Sequence, residues 1–325
     1  MITLLSRINP PSLLINSRDC YVDLMKAISI LLMVVGHNEL SYWFGGLPRS
    51  IIYTFHIPLF FILSGYMYKP NELYTTIKRS AESLLYPYLT FAIITLIIKI
   101  IRIDNYSILL AVKVFVSVNS SQNHSALLSE GHLIGPIWFL VSLFWGRTIF
   151  ATLISYFKYW TYPLCVALSF FAFQLGEIAN LPLGILTGIS SLVFISVGYL
   201  IKTHGIPLAC ILILMILWPI SVHYPMDMAD FVYTSYPLNI LGALGGTIAC
   251  FLIAMALSKI PLTRSFGFFG HYSLHVLCWH TVIIALFPYD IVTGKTSDFL
   301  FIVAPFVITY ITAKHKPFTL LFRLA

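Results

Sequence analysis

The chain has 325 residues, of which 59% are hydrophobic and only 10% are charged, and its mean hydropathy is +0.90. A soluble globular domain carries roughly 25% charged residues to cover its surface, so this composition excludes a water-soluble protein and indicates a surface that faces lipid. The net charge of +7 comes from cations in short connections between apolar runs, which fits loops at an anionic leaflet and argues against a nucleic-acid-binding protein.

Ten apolar runs approach the length of roughly 20 helical residues that a bilayer core of about 30 Å requires. They lie at about 22–42, 50–68, 84–102, 136–156, 160–176, 183–201, 206–222, 237–257, 272–288 and 298–313. The sequence therefore predicts an all-α, polytopic integral membrane bundle of about ten transmembrane helices, forming one membrane domain over residues 1–325. A shorter apolar stretch, 106–118, carries Lys113 and is expected to be an interfacial or re-entrant helix within a long loop, 103–135.

The orientation of these helices follows from the loop charges. Prolines interrupt the N-terminal segment 1–21, so no continuous apolar stretch is followed by a small-residue cleavage site, and we expect no cleavable signal peptide. An even number of spans places both termini on one side. That side collects twelve Lys and Arg residues and the other side five. By the positive-inside rule, both termini and segment 1–21 are predicted to be cytoplasmic, and loop 103–135 extracytoplasmic.

Three ionisable residues, Asp23, Lys26 and His37, lie in or at the edge of the first apolar run. At 100° per residue, Lys26 and His37 point within about 20° of one another, and Asp23 lies one turn before Lys26. Ionisable groups at membrane depth usually face a cavity or each other, and imidazole accepts a proton near neutral pH. The pattern predicts a catalytic base, His37, on a polar helix face. The alternative is an Asp23–Lys26 pair that only orients the helix, with His37 hydrogen-bonded to a neighbour.

Three further polar residues lie in the predicted spans. His56 precedes Pro58, whose missing backbone donor frees nearby carbonyls, so His56 is either a polar lining group or a structural hydrogen-bond donor. Ser64 adjoins a glycine, which suggests close helix packing; it could also act as a nucleophile, although no G-x-S-x-G elbow surrounds it. Arg147, near the middle of a span, requires an anionic partner.

A metal site is not predicted. His271 and His275 share a helix face, but His280, five residues later, turns away from them. No carboxylate joins them in that segment, and the five cysteines occur singly. We interpret His280 as a polar cavity group.

Several stretches, in order, resemble the acyltransferase-3 family. These are bacterial membrane proteins that move acyl groups, usually acetyl, from acyl-CoA to extracytoplasmic sugars. The family's usual signature is Arg, ten residues and then His; here Lys26 stands at the basic position with the spacing to His37 kept, as in the fucose-4-O-acetylase-like branch. An ammonium is a point charge rather than a bidentate clamp. Further similar stretches are FHIPLFFILSGY at 55–66, KR at 78–79 before YPY at 86–88, PIWFL at 136–140, and GHYSL at 270–274 followed by His280.

The resemblance implies a membrane O-acetyltransferase of the bacterial inner membrane. It would move an acetyl group from cytoplasmic acetyl-CoA to a hydroxyl of an extracytoplasmic or lipid-linked surface polysaccharide. The catalytic residues are expected to be His37, Lys26 and Asp23. The residues expected to bind substrate or acyl-CoA are Arg79, His56, Ser64, Trp138, Arg147 and His280.

The expected partners are acetyl-CoA as a substrate, the saccharide acceptor and membrane lipid, with no bound cofactor and no nucleic acid. Lys78 and Arg79 could hold CoA phosphates or simply anchor the third span, and Trp138 could equally belong to an aromatic belt. A transporter or flippase for a glycan or small anionic substrate is the alternative function, because buried charges can also form a substrate path. Against this alternative, the sequence shows no paired Gly/Pro-broken helices in two corresponding halves.

Overall fold

The computed structural model describes residues 20–42, 44–118, 134–176, 181–224, 226–287, 295–315 and 322. Within these residues the secondary structure is almost entirely helical, which confirms the all-α class. Each of the ten predicted apolar runs contains at least one helix. The helices are α1 (Cys20–Gly36), α2 (Leu47–Met67), α3 (Leu73–Ser80), α4 (Tyr86–Arg102), α5 (Ile108–Ser117), α6 (Trp138–Phe157), α7 (Thr161–Gly176), α8 (Ile185–Ser190), α9 (Leu192–His204), α10 (Leu208–Ser221), α11 (Tyr236–Leu257), α12 (Pro261–Arg264), α13 (Gly267–His271), α14 (Ser273–Leu286) and α15 (Lys295–Thr312).

Short irregular elements join these helices. A π-helical turn, Ala81–Leu85, leads from α3 into α4, and 3₁₀ turns lie at Glu39–Tyr42, Phe44–Gly46, Lys158–Trp160 and Pro182–Gly184. Two strands of two residues each, β1 (Met226–Asp227) and β2 (Val232–Tyr233), pair in a small sheet.

Four helical stretches of the described residues are long and apolar enough to cross a bilayer, namely Phe44–Met67, Leu73–Arg102, Trp138–Gly176 and Tyr236–Leu257. Two helix pairs interrupted by a break, Pro182–Ser190 with Leu192–His204 and Pro261–His271 with Ser273–Leu286, raise this number to six if each pair is one span. The polytopic membrane class is therefore confirmed, whereas the count of ten spans stays a prediction. So does the description of residues 1–325 as one membrane domain.

The first predicted run, 22–42, extends too far. Helix α1 ends at Gly36 because the chain then turns around Asn38. The Asn38 side-chain oxygen accepts a hydrogen bond of 3.0 Å from the backbone N–H of Leu40. Such a local side-chain bond offers the backbone an alternative to the helix. This early end leaves His37 immediately beyond the last residue of α1 rather than inside the helix.

The predicted helix in the long loop is present as α5, and Ser107 caps it by accepting a hydrogen bond from the Leu110 N–H over 3.1 Å. Its interfacial placement stays a prediction. Residues 119–133 of that loop, like most of segment 1–21, lie outside the described residues.

The described residues group into two compact units. The first contains the described part of Met1–Lys69 together with Phe194–Asp227 and Tyr233–Ser273. Here α1 packs on α2, α11 and α13 around an apolar core of Leu24, Met25, Leu59, Leu63 and Ala254, among others. Gly65 of α2 lies so close to the Ile195 backbone of α9 that no side chain would fit, which is the close packing expected beside Ser64.

The second unit contains the described parts of Pro70–Val193, Met228–Val232 and Leu274–Ala325. In it α6 packs on α3, α7 and α8. Polar side chains join its helices: Ser169 donates a hydrogen bond of 2.5 Å to the Ser190 carbonyl, and Trp279 donates one of 3.2 Å to Thr312. Side-chain hydrogen bonds of this kind are typical of helices that pack in a membrane.

Candidate functional site

The end of α1 presents His37 in a defined hydrogen-bonded state. The backbone N–H of His37 donates to the Met33 carbonyl over 3.2 Å, and its Nδ1 lies 2.8 Å from the same oxygen. A carbonyl can only accept, so Nδ1 carries the proton and Nε2 carries the lone pair. The ring is half-buried. The neutral imidazole is thus held in the tautomer whose Nε2 can take a proton from a substrate.

His56, in α2, makes an equivalent hydrogen bond. Its Nδ1 lies 2.8 Å from the carbonyl of Ile52, four residues earlier. The side chain is 1% exposed, and its Nε2 has no hydrogen-bond partner among the described residues. A buried acceptor without a partner costs free energy in a folded protein. The Nδ1 atom therefore makes a structural hydrogen bond, and the interpretation of His56 as a polar lining group stays a prediction.

The ring of Tyr53 lies near both histidines. Its centroid is 6.2 Å from that of His37 and 5.0 Å from that of His56. The last residue of α1, Gly36, packs against Tyr53 and Ile52 so tightly that a Cβ at Gly36 would lie 3.1 Å from the Ile52 side chain. The C-terminal end of α1 and the first half of α2 thus place two imidazoles around one aromatic ring.

Arg49 completes this cluster. Its guanidinium lies 4.0 Å from the centroid of the Tyr53 ring and 4.9 Å from that of Tyr42, and its Nη1 donates a hydrogen bond of 2.7 Å to the Gly36 carbonyl. Neither Arg49 nor Tyr53 was singled out from the sequence. The available signal was the spacing, because Arg49, Tyr53 and His56 follow one another at intervals of four and three residues and so share a helix face.

Asp23 and Lys26 lie at the other end of α1. Their side chains form an ion pair, with 3.9 Å between Lys26 Nζ and Asp23 Oδ1, and each is 19% exposed. Lys26 and His37 are eleven residues apart, which is about 16 Å along the helix at 1.5 Å per residue. Asp23 and Lys26 lie in α1 and His37 lies immediately beyond its last residue, so His37 and the ion pair form two separate groups.

Ser64 also lies away from the two histidines. It is eight residues beyond His56 in α2, about 12 Å along the helix. Its hydroxyl is buried and has no hydrogen-bond partner among the described residues.

The remaining predicted site residues belong to the second unit. Arg79 is exposed in α3, and Arg147 is half-buried in α6. Trp138 is buried at the beginning of α6, and His280 is fully buried in α14. His275 stacks on Phe322 with 3.4 Å between the ring centroids, and no described group of three or more His, Cys, Asp or Glu residues is placed to hold a metal ion. The roles assigned to these residues stay predictions.

Comparison with known proteins identifies a family model that matches the sequence of this chain. The model of the acyltransferase-3 family, described as "Acyltransferase domain", matches residues 20–313, which confirms the resemblance seen in the sequence. The nodulation protein NolL of Sinorhizobium fredii (strain NBRC 101917 / NGR234) is 36% identical over 86 residues, which cover 23% of this chain and 23% of NolL. No solved structure matches the chain.

Proposed function

Because the chain belongs to the acyltransferase-3 family, we propose that this membrane acyltransferase moves an acetyl group from cytoplasmic acetyl-CoA to a hydroxyl of an extracytoplasmic or lipid-linked surface polysaccharide. The observation that carries the proposal is the state of His37, whose Nδ1 proton is engaged by the Met33 carbonyl. That bond leaves the basic lone pair on Nε2, as proton abstraction from an alcohol requires. Family membership supports acyl transfer; the acetyl donor and the saccharide acceptor are our inference.

In the direct route, His37 Nε2 takes the proton of the acceptor hydroxyl while the hydroxyl oxygen attacks the thioester carbonyl carbon. The new C–O bond forms, the C–S bond breaks, and the departing CoA sulfur takes the proton back from the His37 imidazolium. The products are the O-acetyl sugar and CoA. In a two-step route, Nε2 attacks the thioester carbonyl carbon, the C–S bond breaks and CoA leaves as the thiolate; the sugar hydroxyl oxygen then attacks the acetyl carbon, the C–N bond to the imidazole breaks, and the hydroxyl proton passes to the thiolate. Both routes remain part of the proposal.

The role of Lys26 follows from its distance from His37. At about 16 Å along α1, the Lys26 ammonium is too far away to stabilise an oxyanion formed beside His37. The extended pantetheine arm of CoA separates the thioester from the phosphates by a comparable length, so Lys26 is suited to hold a CoA phosphate. Asp23, 3.9 Å from the ammonium, would orient it. The resemblance to the family is the support for four further proposed binding residues, Arg79, Trp138, Arg147 and His280.

We place the protein in the bacterial inner membrane with both termini in the cytoplasm. In this orientation the N-terminal end of α1, with Lys26, faces the side from which acetyl-CoA arrives. The C-terminal end, with His37, faces the side of the acceptor. The sign of the loop charges supports this orientation.

The test is acetyl transfer in isolated membranes. Membranes with the wild-type protein, supplied with acetyl-CoA labelled in the acetyl group, should place label in saccharide material, and His37→Ala should lower this rate by roughly 10²–10⁴-fold, the usual contribution of a general base. His204→Ala, an exposed histidine in α9, is the matched control and should transfer at the wild-type rate. Transfer unchanged by His37→Ala would overturn the mechanism, and movement of a glycan without acetylation would favour the transporter.

A further inference from the structure

The helix end that carries His37 is fixed by a side chain from the next helix. The last carbonyls of an α-helix have no partner within the helix. In α1, the Gly36 carbonyl accepts the Arg49 Nη1 hydrogen bond of 2.7 Å. The Ser41 hydroxyl, which donates to the Asn38 carbonyl over 2.8 Å, also lies 3.2 Å from the Gly36 oxygen. Gly36 immediately precedes His37, so the Arg49 bond fixes the backbone from which the base projects.

Arg49 is itself held in place by aromatic rings. Its guanidinium lies 4.0 Å from the centroid of Tyr53 and 4.9 Å from that of Tyr42. A cation over an aromatic face gains about 0.5–1 kcal/mol where it is exposed and about 2 kcal/mol or more where it is desolvated. The Tyr53 ring in turn lies beside both imidazole rings, with its centroid 6.2 Å from that of His37 and 5.0 Å from that of His56. One guanidinium thus connects the end of α1 to the ring that lies beside His37 and His56.

We infer that Arg49 is a positioning residue for the acyl-transfer reaction. It holds the Gly36 carbonyl and the Tyr53 ring in fixed positions, so that His37 Nε2 meets the acceptor hydroxyl at the correct distance. This inference rests on the proposed function of His37. It differs from phosphate binding, which the proposal gives to Lys26 at the other end of α1, and therefore predicts an effect on kcat rather than on the KM for acetyl-CoA.

The experiment compares Arg49→Ala and Arg49→Lys with a matched control, Arg264→Ala. Arg264 is an exposed arginine whose Nε donates a hydrogen bond of 2.6 Å to the Ser258 carbonyl, directly after α11, so its removal also takes away a side-chain bond at a helix end. Arg49→Ala should lower kcat by about 10²-fold, the effect expected when a catalytic group moves by about 1 Å, with the KM for acetyl-CoA unchanged. Arg49→Lys keeps a donor but loses the planar stacking, and its kcat should be intermediate. Arg264→Ala should keep the wild-type kcat.

Three results would overturn the inference: a wild-type kcat for Arg49→Ala, an equal loss in Arg49→Ala and Arg264→Ala, or a loss confined to the KM for acetyl-CoA. Thermal unfolding in detergent shows whether each variant is folded. If Arg49→Ala is not folded, the kcat and KM of Arg49→Lys test the inference by the same criteria. The two proposals fail separately. Absence of transfer by the wild-type protein, or wild-type transfer by His37→Ala, contradicts the proposed function, whereas active wild-type protein, inactive His37→Ala and unaffected Arg49→Ala contradict the positioning role only.

Discussion

The hydroxyl of Ser29, in α1, donates a hydrogen bond of 2.8 Å to the backbone carbonyl of His56, in α2. Ser29 is fully buried. A serine in a helix often bonds a carbonyl of its own preceding turn, but this one crosses to the neighbouring helix. The bond fixes the height and rotation of α1 against α2 at the level of His56. It therefore contributes to the relative position of the two histidines, since His37 lies eight residues further along the chain.

Ser29→Ala should lower the free energy of unfolding by about 0.6 kcal/mol and by no more than about 1.7 kcal/mol, the range for hydrogen bonds between membrane helices. The measurement is thermal unfolding in detergent. Ser50→Ala is the matched control, because its exposed hydroxyl bonds the nearby Gly46 carbonyl at the beginning of α2. Equal effects of the two substitutions would show that the bond between α1 and α2 contributes nothing specific.

His56→Asn tests the buried Nε2 atom. The asparagine amide nitrogen occupies the place of Nδ1 and can still donate to the Ile52 carbonyl, whereas Nε2 is removed and an amide oxygen takes the place of Cδ2. One buried acceptor replaces another, so stability should change little, while acetyl transfer should fall by about 10-fold, the value of one hydrogen bond of roughly 1.4 kcal/mol. Loss of activity at unchanged stability is typical of residues kept for function. Reduced stability with full activity would instead make His56 a purely structural residue.

The positions of the helices could be predicted from the sequence because apolar run length is a strong signal in membrane proteins. The predicted run 237–257 differs from α11 by one residue, and 160–176 differs from α7 by one residue. The predicted end of the first run, residue 42, was wrong because Asn38 forms a local turn that hydropathy does not detect. Hydropathy also cannot count spans where a helix is broken, as at Ser191 and Tyr272.

Only part of the candidate site could be predicted. The sequence singles out His37, Lys26 and Asp23 because ionisable residues are rare in apolar runs, and their catalytic roles stay predictions. Arg49 and Tyr53 were missed for the opposite reason: a cation just before a span and a tyrosine inside one are common. Their importance depends on which surfaces they contact, namely the Gly36 carbonyl and two imidazole rings, and contacts between helices cannot be read from the periodicity of one helix.

Gly270→Ala should disturb the Asp23 region through the backbone. Gly270, in α13, lies directly against the Asp23 carbonyl, and an added Cβ would also lie 3.0 Å from the Ala27 nitrogen, so backbone must move to accept it. We expect a loss of about 1–3 kcal/mol in the free energy of unfolding, as for overpacked sites. Gly267→Ala is the control, because a Cβ there would make an ordinary contact of 3.6 Å with the Asp23 side chain. The free energy of unfolding, measured by thermal unfolding, should be clearly lower for Gly270→Ala than for Gly267→Ala. Similar values for the two variants would contradict the close contact between α13 and α1.

Lys26→Ala should weaken acetyl-CoA binding without slowing the chemical step. A hydrogen bond to a charged group is worth about 1.5–3 kcal/mol, so the KM for acetyl-CoA should rise roughly 10- to 100-fold while kcat is kept. Lys26→Arg should bind nearly as well, because a guanidinium also holds phosphate. Lys158→Ala, an exposed lysine predicted on the same side of the membrane, is the control and should leave the KM unchanged.

The choice of acetyl donor distinguishes two roles for Lys26, namely binding of a CoA phosphate and stabilisation of charge at the reacting carbonyl. S-acetylpantetheine has the thioester but none of the CoA phosphates, so wild-type protein and Lys26→Ala should use it equally, each with a high KM. If Lys26 instead stabilised charge at the reacting carbonyl, the substitution would slow transfer from both donors by the same factor. That result would also require the lysine to approach His37 more closely than about 16 Å, the rise over the eleven residues from Lys26 to the residue after α1. The ion pair with Asp23, 3.9 Å away and one turn earlier in the chain, holds the ammonium near the beginning of α1, at the end of the helix far from His37.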